Sequence, residues 1–350
     1  MRIFSVHTSG FGTWQVGRQR IVYVLACLLV ASAGTLALLR SKAATPVIGL
    51  ETESGVLANG STTIANQLAS SNTAVLFASG SSGSLPAIRG FIESTDGAHN
   101  ALFKQLGFTA AVSPATSTAL DTLNTQGLKG LVWVGDYDNT ACQHEKSDAT
   151  ITSIVNSVKN HPALLGYYIS DEPEQAVAAC PNVATQLKAR SDLIRSLDPN
   201  TAHITFQIIS NQGTNLRCYD YTTFMGVTDV MGLDIYPFRQ NPAYVPCVSD
   251  PTHPLNDISQ AISAFNTQSA AYKQSHPSFV PRFYAVAQDF EDTYWRRPTV
   301  AELQQQFAAW QNSGMEGWWY FSWDWQGNTL DGNTAHQCEF KIENQVVPSC

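Results

Sequence analysis

Charged residues are scarce in this chain of 350 residues, where Asp, Glu, Lys and Arg together make up 14%. Lysine and arginine number only 20 against 28 acidic residues, so the net charge at neutral pH is −8. After the first twenty residues no long basic run occurs. Nucleic-acid binding requires a clustered positive surface, so this balance argues against nucleic acid as a partner.

Several local motifs are missing as well. No glycine-rich phosphate loop follows the first predicted strand, no CxxC or Cys/His pair has metal-ligand spacing, and no solenoid-type repeat is visible. These absences argue against a nucleotide-binding enzyme, a zinc site and a repeat protein. The sequence therefore predicts no cofactor and no metal. With 44% hydrophobic residues the chain can still form a sizeable globular core.

One long apolar run, Ile21–Leu39, lies near the N-terminus. It is close to the length that crosses a bilayer as a helix, and we favour a signal-anchor preceded by a polar segment, residues 1–20. The alternatives are a cleaved signal peptide with the small-residue site Ala31–Ala33, or a lipid-modified Cys27. All of these predict that the rest of the chain is extracellular, either anchored at the cell surface or secreted.

Cysteine usage agrees with export. Six cysteines follow the apolar run, and an even number in an exported chain suggests disulfide bonds. We select pairs that are neighbours in the sequence and that lie in predicted loops. The predicted disulfides are Cys142–Cys180, Cys218–Cys247 and Cys338–Cys350.

Residues 40–85 form a predicted spacer that is rich in Ser, Thr and Gly. Within it lie two short β-like patches, Leu50–Glu53 and Ala74–Phe77. The start Glu51–Gly55 and the second patch resemble the opening of the β-sandwich carbohydrate-binding modules of secreted bacterial enzymes. The resemblance covers far less than a complete module, so we expect a linker between membrane and enzyme.

From residue 86 onward, short apolar strands alternate with stretches of helical spacing. Eight such strands over about 260 residues predict an α/β fold, a (β/α)8 TIM barrel in residues 86–350. A doubly wound open sheet is the alternative. The predicted strands are Ile88–Glu93, Phe108–Ser113, Leu128–Asp136, Leu165–Ser170, His203–Ile209, Val230–Tyr236, Phe283–Gln288 and Gly317–Asp324. The clearest predicted helices are Ala149–Lys159, Asn182–Leu197, Leu255–Ser275 and Thr299–Asn312.

Polar residues stand at the carboxyl ends of these strands, where barrel enzymes form their active sites. A single acid there is usually a helix cap, and Asp171 and Glu174 could start the helix after strand four. Helix capping does not readily explain polar residues at the ends of most strands of the barrel, because like charges in one pocket destabilise a fold. Side-chain alternation directs Asp234 and Tyr236 of strand six, and Glu172 of strand four, toward the barrel axis.

Aromatic residues are common near the same strand ends. Trp319, Phe321 and Trp323 share one face of strand eight, which we expect to pack on helices. At the loop end, Trp323 and Trp325, together with Tyr236, are candidates to stack on sugar rings. Acids and aromatics in a barrel mouth favour glycosidic-bond hydrolysis, which needs one protonated carboxyl and one carboxylate opposite it.

Two motifs resemble the (β/α)8 glycoside hydrolases of clan A, over about residues 86–330. They are Asp171-Glu172-Pro173 at the end of strand four and Gly232–Pro237 on strand six. The resemblance implies that Glu172 is the general acid/base. It also implies an Asn at position 171, which would bond the substrate's 2-hydroxyl, and a nucleophilic Glu at the end of strand seven. This chain has Asp171 and the pair Gln288-Asp289 instead.

The sequence thus predicts a monomeric glycoside hydrolase that acts on a poly- or oligosaccharide, with Glu172 as general acid. Asp289 is the first candidate for the partner carboxylate, followed by Asp234 and Glu291. A catalytically silent glycan-binding barrel is the alternative, suggested by Gln288 where a nucleophile is expected. The predicted substrate-binding residues are Glu93, Asp136, Asp171, Gln207, Asp234, Tyr236, Gln288, Glu291, Trp323, Asp324 and Trp325.

Overall fold

The chain divides into two units, Met1–Ala78 and Ser79–Cys350. In the first unit the described residues form one antiparallel strand pair, Thr62–Ala65 with Thr73–Leu76, and the second strand overlaps the predicted patch Ala74–Phe77. The structure is a computed structural model that describes residues 62–65, 73–76, 85–92, 97–210, 218–240 and 253–350.

The predicted apolar run Ile21–Leu39, Cys27 and the patch Leu50–Glu53 lie outside the described residues. Within the described residues, no helix is both long and apolar enough to cross a membrane.

The second unit contains a closed barrel of eight parallel strands, in agreement with the predicted fold. Each strand pairs with its neighbours in chain order, and the eighth strand pairs with the first. All eight predicted strands are confirmed, with shifts of a few residues at their ends. The strands are β1 (Ile88–Phe91), β2 (Ala110–Pro114), β3 (Lys129–Trp133), β4 (Leu164–Asp171), β5 (Ile204–Ser210), β6 (Val230–Ile235), β7 (Phe283–Gln288) and β8 (Gly317–Phe321).

Helices connect most of the strands, and the four clearest predicted helices are confirmed. Three further helices, Asn100–Gln105, Ser117–Thr125 and Thr334–Glu343, were not among the predicted ones. Between β5 and β6 the described residues contain only the short 3-10 helix Thr222–Phe224. The helices are α1 (Asn100–Gln105), α2 (Ser117–Thr125), α3 (Asp148–Val158), α4 (Val183–Leu197), α5 (Asn256–Ser275), α6 (Val300–Gln311) and α7 (Thr334–Glu343).

The core has two layers, one inside the barrel and one between the strands and the helices. On β6, Met231, Leu233 and Ile235 face the helices, while Tyr236 belongs to the inner layer, as the alternation predicted. On β1, glycine at position 90 makes room for Trp319, because an added Cβ would lie 2.6 Å from its ring. Bulky side chains therefore fill the barrel interior below the mouth.

The expectation that Trp319, Phe321 and Trp323 share a helix-facing side is wrong. Trp319 and Phe321 lie in the inner layer, whereas Trp323 packs in the outer layer. The strand ends at Phe321, so the alternation of side chains does not extend to Trp323.

Two predicted disulfides, Cys142–Cys180 and Cys338–Cys350, are present. Cys218 is also disulfide-bonded, and its predicted partner Cys247 lies outside the described residues.

Candidate active site

The end of β4 carries Glu172 in an unusual backbone conformation. A register shift interrupts the pairing of β4 with β5 between Tyr168 and Ser170. Glu172 then adopts the left-handed region, with φ 45° and ψ 46°, before the 3-10 helix Pro173–Ala176. This region is unfavourable for residues other than glycine and persists only where the surrounding structure holds it. Here the Glu172 amide donates to the carbonyl of Ile208 on β5 at 3.0 Å.

The Glu172 carboxyl is half-buried and is surrounded by polar partners. Gln175 Nε2 donates a hydrogen bond to Oε2, and Ser210 and Asp234 also form hydrogen bonds with the carboxyl. Burial raises the pKa of Glu172 above its ordinary value, and the negative charge of Asp136 adds to this effect. Glu172 therefore keeps its proton at a pH where an exposed glutamate has lost it.

Asp234 on β6 is the direct carboxyl neighbour of Glu172. Its side chain is buried in the mouth, and Tyr236 forms a hydrogen bond with its carboxylate. Burial, and next the charge of Glu172, raise the pKa of Asp234 well above its usual range. Two carboxyls in one pocket cannot both ionise readily, so the ionisation of Glu172 makes that of Asp234 less favourable.

Glu174 is a third carboxyl of this group, and the sequence predicted it to be a capping group or a group that supports the site. Its Oε1 accepts from both the amide and the hydroxyl of Ser210, at 2.8 and 2.7 Å, rather than capping a helix. Only 1% of the residue is exposed, and burial followed by the charge of Glu172 raises its pKa well above the usual range. The spacing of two residues from Glu172 was a weak signal, because Pro173 interrupts the strand between them.

Two more predicted acids lie beside this group. Asp136, beyond β3, accepts hydrogen bonds through Oδ1 from Ser170 Oγ at 2.9 Å and from the Asp171 amide at 3.1 Å. Asp171 is exposed, and its Oδ1 accepts from the Tyr168 hydroxyl at 2.8 Å. We call these five acids the acid cluster: Asp136, Asp171, Glu172, Glu174 and Asp234.

Aromatic rings flank the acid cluster on the side of β6, β7 and β8. The Tyr236 ring stacks on Phe321 at 5.8 Å between centroids and meets Phe290 edge-on at 4.8 Å. Trp295 lies 5.9 Å from Tyr236, and Trp325 lies 5.1 Å from Phe321. We call these five side chains the aromatic wall. Tyr236 and Trp325 were predicted for this role, whereas Phe321 was expected to pack on helices.

The residues at the end of β7 do not join the acid cluster. Asp289 is fully buried, with both carboxylate oxygens 3.0 Å from Nδ1 of His336 on α7. Its neighbour Gln288 accepts from the Phe238 amide at 2.8 Å and donates to the carbonyls of Phe238 and Arg296 at 3.0 and 2.9 Å. Neither side chain presents an open carboxylate to Glu172.

This arrangement differs from the prediction that Asp289 faces Glu172. Tyr284 and Val286 lie in the inner layer, so the alternation along β7 directs Gln288, rather than Asp289, toward the axis. Asp289 consequently turns to the helix layer, where His336 lies.

Other predicted substrate-binding residues are also placed elsewhere. Gln207 lies on the helix-facing side of β5 and donates to the Phe224 carbonyl at 3.3 Å. Trp323 donates from its ring nitrogen to Asp331 at 2.9 Å in the outer layer. Glu291 and Asp324 are exposed, the latter in a two-residue strand, Asp324–Trp325. Glu93 lies outside the described residues.

No group of His, Cys, Asp and Glu side chains within the described part of the chain has an arrangement that could hold a metal ion.

Comparisons with known proteins identify the fold but no sequence family. No model of a protein family matches the chain, and no curated protein matches it. Solved structures do match. The endo-β-1,4-mannanase from Thermotoga petrophila has a TM-score of 0.51 and 8% identity, with 74% of this chain and 76% of that chain covered. The chain therefore shares the TIM-barrel fold of this mannanase.

Two further structures support this assignment. The endo-1,4-β-D-mannanase of Thermotoga petrophila RKU-1, solved with maltose and glycerol, has a TM-score of 0.51 and 8% identity, covering 75% of this chain and all 100% of that one. A glucosidase from Croceicoccus marinus has a TM-score of 0.50 and 11% identity, with coverages of 75% and 66%. Identities this low establish the fold alone. None of the comparisons supports the resemblance of the N-terminal segment to a carbohydrate-binding module.

Proposed function

We propose that this protein is a glycoside hydrolase in which Glu172 is the general acid. The observation that carries the proposal is the hydrogen-bonded carboxyl pair of Glu172 and Asp234 in the barrel mouth, beside the aromatic wall. Glycosidic hydrolysis needs a carboxyl that holds its proton near the leaving oxygen. Burial raises the pKa of Glu172 in the direction that this role requires.

Asp234, rather than Asp289, is the partner carboxylate in this proposal. The Asp289 carboxylate is hydrogen-bonded to His336, whereas Asp234 lies within hydrogen-bonding reach of Glu172. Inverting enzymes separate their carboxyls by roughly 6.5–9.5 Å so that water fits between them. Retaining enzymes separate them by about 5–5.5 Å, which also exceeds a direct hydrogen bond. The two carboxyls must therefore move apart when the sugar binds, and the anomeric form of the first product measures whether hydrolysis proceeds with retention or inversion.

The proposed substrate is a poly- or oligosaccharide, and the proposed location is extracellular. The partly exposed rings of the aromatic wall, Trp295, Phe321 and Trp325, support a carbohydrate substrate, because aromatic faces can stack on the apolar faces of sugars. The disulfides Cys142–Cys180 and Cys338–Cys350 support an oxidising compartment outside the cytoplasm.

Substitution of Glu172 tests the proposal. The full-length chain would be incubated with a panel of neutral, acidic and amino-sugar polysaccharides, and new reducing ends would be measured. We expect Glu172→Gln to lower kcat by about 10²–10⁴-fold, because the proton donor is lost. A matched control is Asp192→Asn on α4, whose exposed carboxylate pairs with Lys188. An undiminished rate for a folded Glu172→Gln protein would refute the assignment.

A glycan-binding barrel without activity is the second candidate, and one observation favours it. Gln288 stands where the resembled family has its nucleophile, and both ends of its amide are bonded to the backbone. In this case a glycan embedded in the gel would slow the migration of the protein in affinity electrophoresis. No reducing ends would appear even at high protein concentration.

A further inference from the structure

Ser210, the last residue of β5, lies between the two carboxyls of the proposed catalytic pair. It is the register partner of Asp234 on β6, and the Glu172 amide donates to the carbonyl of Ile208, two residues before it. Phe206 and Ile208 belong to the inner layer, so the alternation along β5 directs the buried Ser210 side chain into the barrel mouth as well. A hydroxyl in this position can act directly on the ionisation of Glu172.

The Ser210 hydroxyl has one hydrogen and two carboxyl neighbours. It donates to Oε1 of Glu174 at 2.7 Å, and it also forms a hydrogen bond with the Glu172 carboxyl. A hydroxyl can donate one hydrogen bond while it accepts another. The Ser210 oxygen can therefore accept from protonated Glu172 while its own hydrogen points to Glu174.

Loss of the Glu172 proton reverses the direction of this hydrogen bond. An ionised carboxylate can only accept, and a hydrogen bond to it is roughly twice as strong as one between neutral groups. The Ser210 hydrogen is then more favourably placed on Glu172. Oε1 of Glu174 is not left unpaired, because the Ser210 amide still donates to it at 2.8 Å. The hydroxyl can thus pair with Glu172 in both of its protonation states.

Glu174 is suited to this arrangement as a neutral partner. It is 1% exposed, and within the described residues its Oε2 has no hydrogen-bond partner. A negative charge there would be poorly stabilised, and burial raises the pKa of Glu174 well above the usual range. A neutral Glu174 competes less strongly than a carboxylate for the Ser210 hydrogen when Glu172 ionises.

We infer that Ser210 is a positioning residue for the general acid: its hydroxyl accepts from protonated Glu172 and turns from Glu174 to donate to Glu172 as the proton leaves. This inference rests on the proposed function and deepens it. The hydrogen bond to ionised Glu172 forms only as the proton is transferred, so it stabilises the transition state more than the bound substrate. Its loss should therefore lower kcat and leave KM unchanged.

Ser210→Ala removes the hydroxyl. On the polysaccharide that the full-length parent cleaves, we expect kcat to fall about tenfold or more with KM unchanged, since a hydrogen bond to a charged group is lost. The hydrogen bond from Ser210 lowers the pKa of Glu172, so its removal should move the basic limb of the pH–rate profile to higher pH. Ser210→Thr retains a hydroxyl and should restore both values toward those of the parent. An unchanged kcat and limb in folded Ser210→Ala would overturn the inference.

Two further variants separate this role from a structural one. Ser191→Ala on α4 removes another buried hydroxyl, which lies 2.9 Å from the Thr205 hydroxyl, and should leave kcat and the basic limb unchanged. Glu174→Gln keeps an oxygen that can accept from Ser210, so both values should stay close to those of the parent. A limb moved to lower pH in Glu174→Gln would reveal a charge on Glu174 and overturn its role as a neutral partner. Equal changes in Ser191→Ala and Ser210→Ala would overturn the role of Ser210.

The other titratable groups that act on this site stay in place in these variants. They are Asp136 beyond β3, Asp171 on β4, Tyr221 before β6, and Asp234 and Tyr236 on or directly after β6. A shift of the basic limb in Ser210→Ala is therefore caused by the lost hydroxyl.

Infrared titration of the full-length protein gives a readout that does not need turnover. The carboxylic-acid band that is missing from Glu172→Gln identifies Glu172, and we expect this band to persist to higher pH in Ser210→Ala. The same shift without hydrolysis by the parent would support the action of Ser210 on Glu172 and refute the hydrolase. Hydrolysis with an unshifted band would refute the inference and leave the glycoside hydrolase standing. An unshifted band without hydrolysis would refute both.

Discussion

At the scale of single residues, burial is the main cause that raises the pKa of Glu172, and neighbouring groups modify it. Asp136 raises that pKa through its negative charge, while its Oδ1 atom accepts hydrogen bonds from Ser170 and from the Asp171 amide. Asparagine at position 136 can keep those hydrogen bonds and removes only the charge. One substitution can therefore separate the effect of the Asp136 charge from the effect of its hydrogen bonds.

We predict that Asp136→Asn shifts the basic limb of the pH–rate profile to lower pH. Without the negative charge of Asp136, ionised Glu172 becomes less unfavourable, its pKa falls, and the acid form is lost at a lower pH. The control Asp138→Asn removes the same charge from a residue whose carboxylate accepts from the backbone amides of Thr140 and Ala141. A shift of the limb to higher pH, or an equal shift in both variants, would contradict this explanation.

At the scale of elements, a disulfide ties together the two loops that carry the acids. Cys142 follows the strand Tyr137–Asp138 after β3, and Cys180 follows the 3-10 helix that begins directly after Glu172. The closed segment spans 38 residues, compared with 12 for Cys338–Cys350 near the C-terminus. Longer closed loops restrict the unfolded chain more.

We predict that Cys142→Ser with Cys180→Ser lowers the free energy of unfolding by roughly 2–4 kcal/mol. The same double change should increase hydrogen exchange of the segment Glu172–Cys180, since its tether is lost. Calorimetry and exchange mass spectrometry would measure the two effects. The matched double change Cys338→Ser with Cys350→Ser should lower the free energy of unfolding by less. It should leave hydrogen exchange of the segment Glu172–Cys180 unchanged. Unaltered exchange in the first variant would show that the tether does not restrain this segment.

At the scale of the whole molecule, buried acids make stability depend on pH. Glu343 on α7 is buried, its Oε2 accepts from the Tyr320 hydroxyl at 2.6 Å, and burial raises its pKa well above the usual range. Burial also raises the pKa values of Glu174 and Asp234. In contrast, the hydrogen bonds of Arg296 are the main cause that lowers the pKa of Glu302 to about 2.

These shifts set the direction of the pH dependence. A group with a raised folded pKa contributes stability below its unfolded pKa, and this contribution is lost as pH rises through the folded value. Glu302 contributes in the opposite sense, with stability present above its unfolded pKa and lost as pH falls toward 2. We therefore predict maximal stability at mildly acidic pH, with a decline toward neutral and alkaline pH.

Denaturant unfolding across the pH range would measure this profile. Glu343→Gln should flatten the decline on the alkaline side, because an amide cannot ionise, whereas Glu302→Gln should flatten the decline on the acid side. A stability maximum above neutral pH, unaffected by Glu343→Gln, would contradict the assignment of raised pKa values to the buried acids.

The eight strands and their alternation with helices could be predicted from the sequence, because the spacing of apolar residues is a local pattern. The closure of the sheet into a barrel, for which an open sheet was the alternative, was decided by the pairing of β8 with β1. The alternation of side chains along β6 is also a local pattern, so the inward direction of Asp234 could be predicted correctly. The disulfides Cys142–Cys180 and Cys338–Cys350 could also be predicted, because each joins two cysteines that are consecutive along the chain.

Tertiary structure alone decided which acids meet. Asp289 was predicted to face Glu172. The alternation of side chains along β7 instead directs the Asp289 side chain outward, where it contacts His336 on α7. Glu174 was interpreted as a capping group or as a group that supports the site, and its hydrogen bonds to Ser210 of the next strand, after the left-handed turn at Glu172, agree with the second alternative. Local patterns specify the direction of a side chain within a regular strand, but not beyond its end. There, contacts between residues far apart in the chain decide the position.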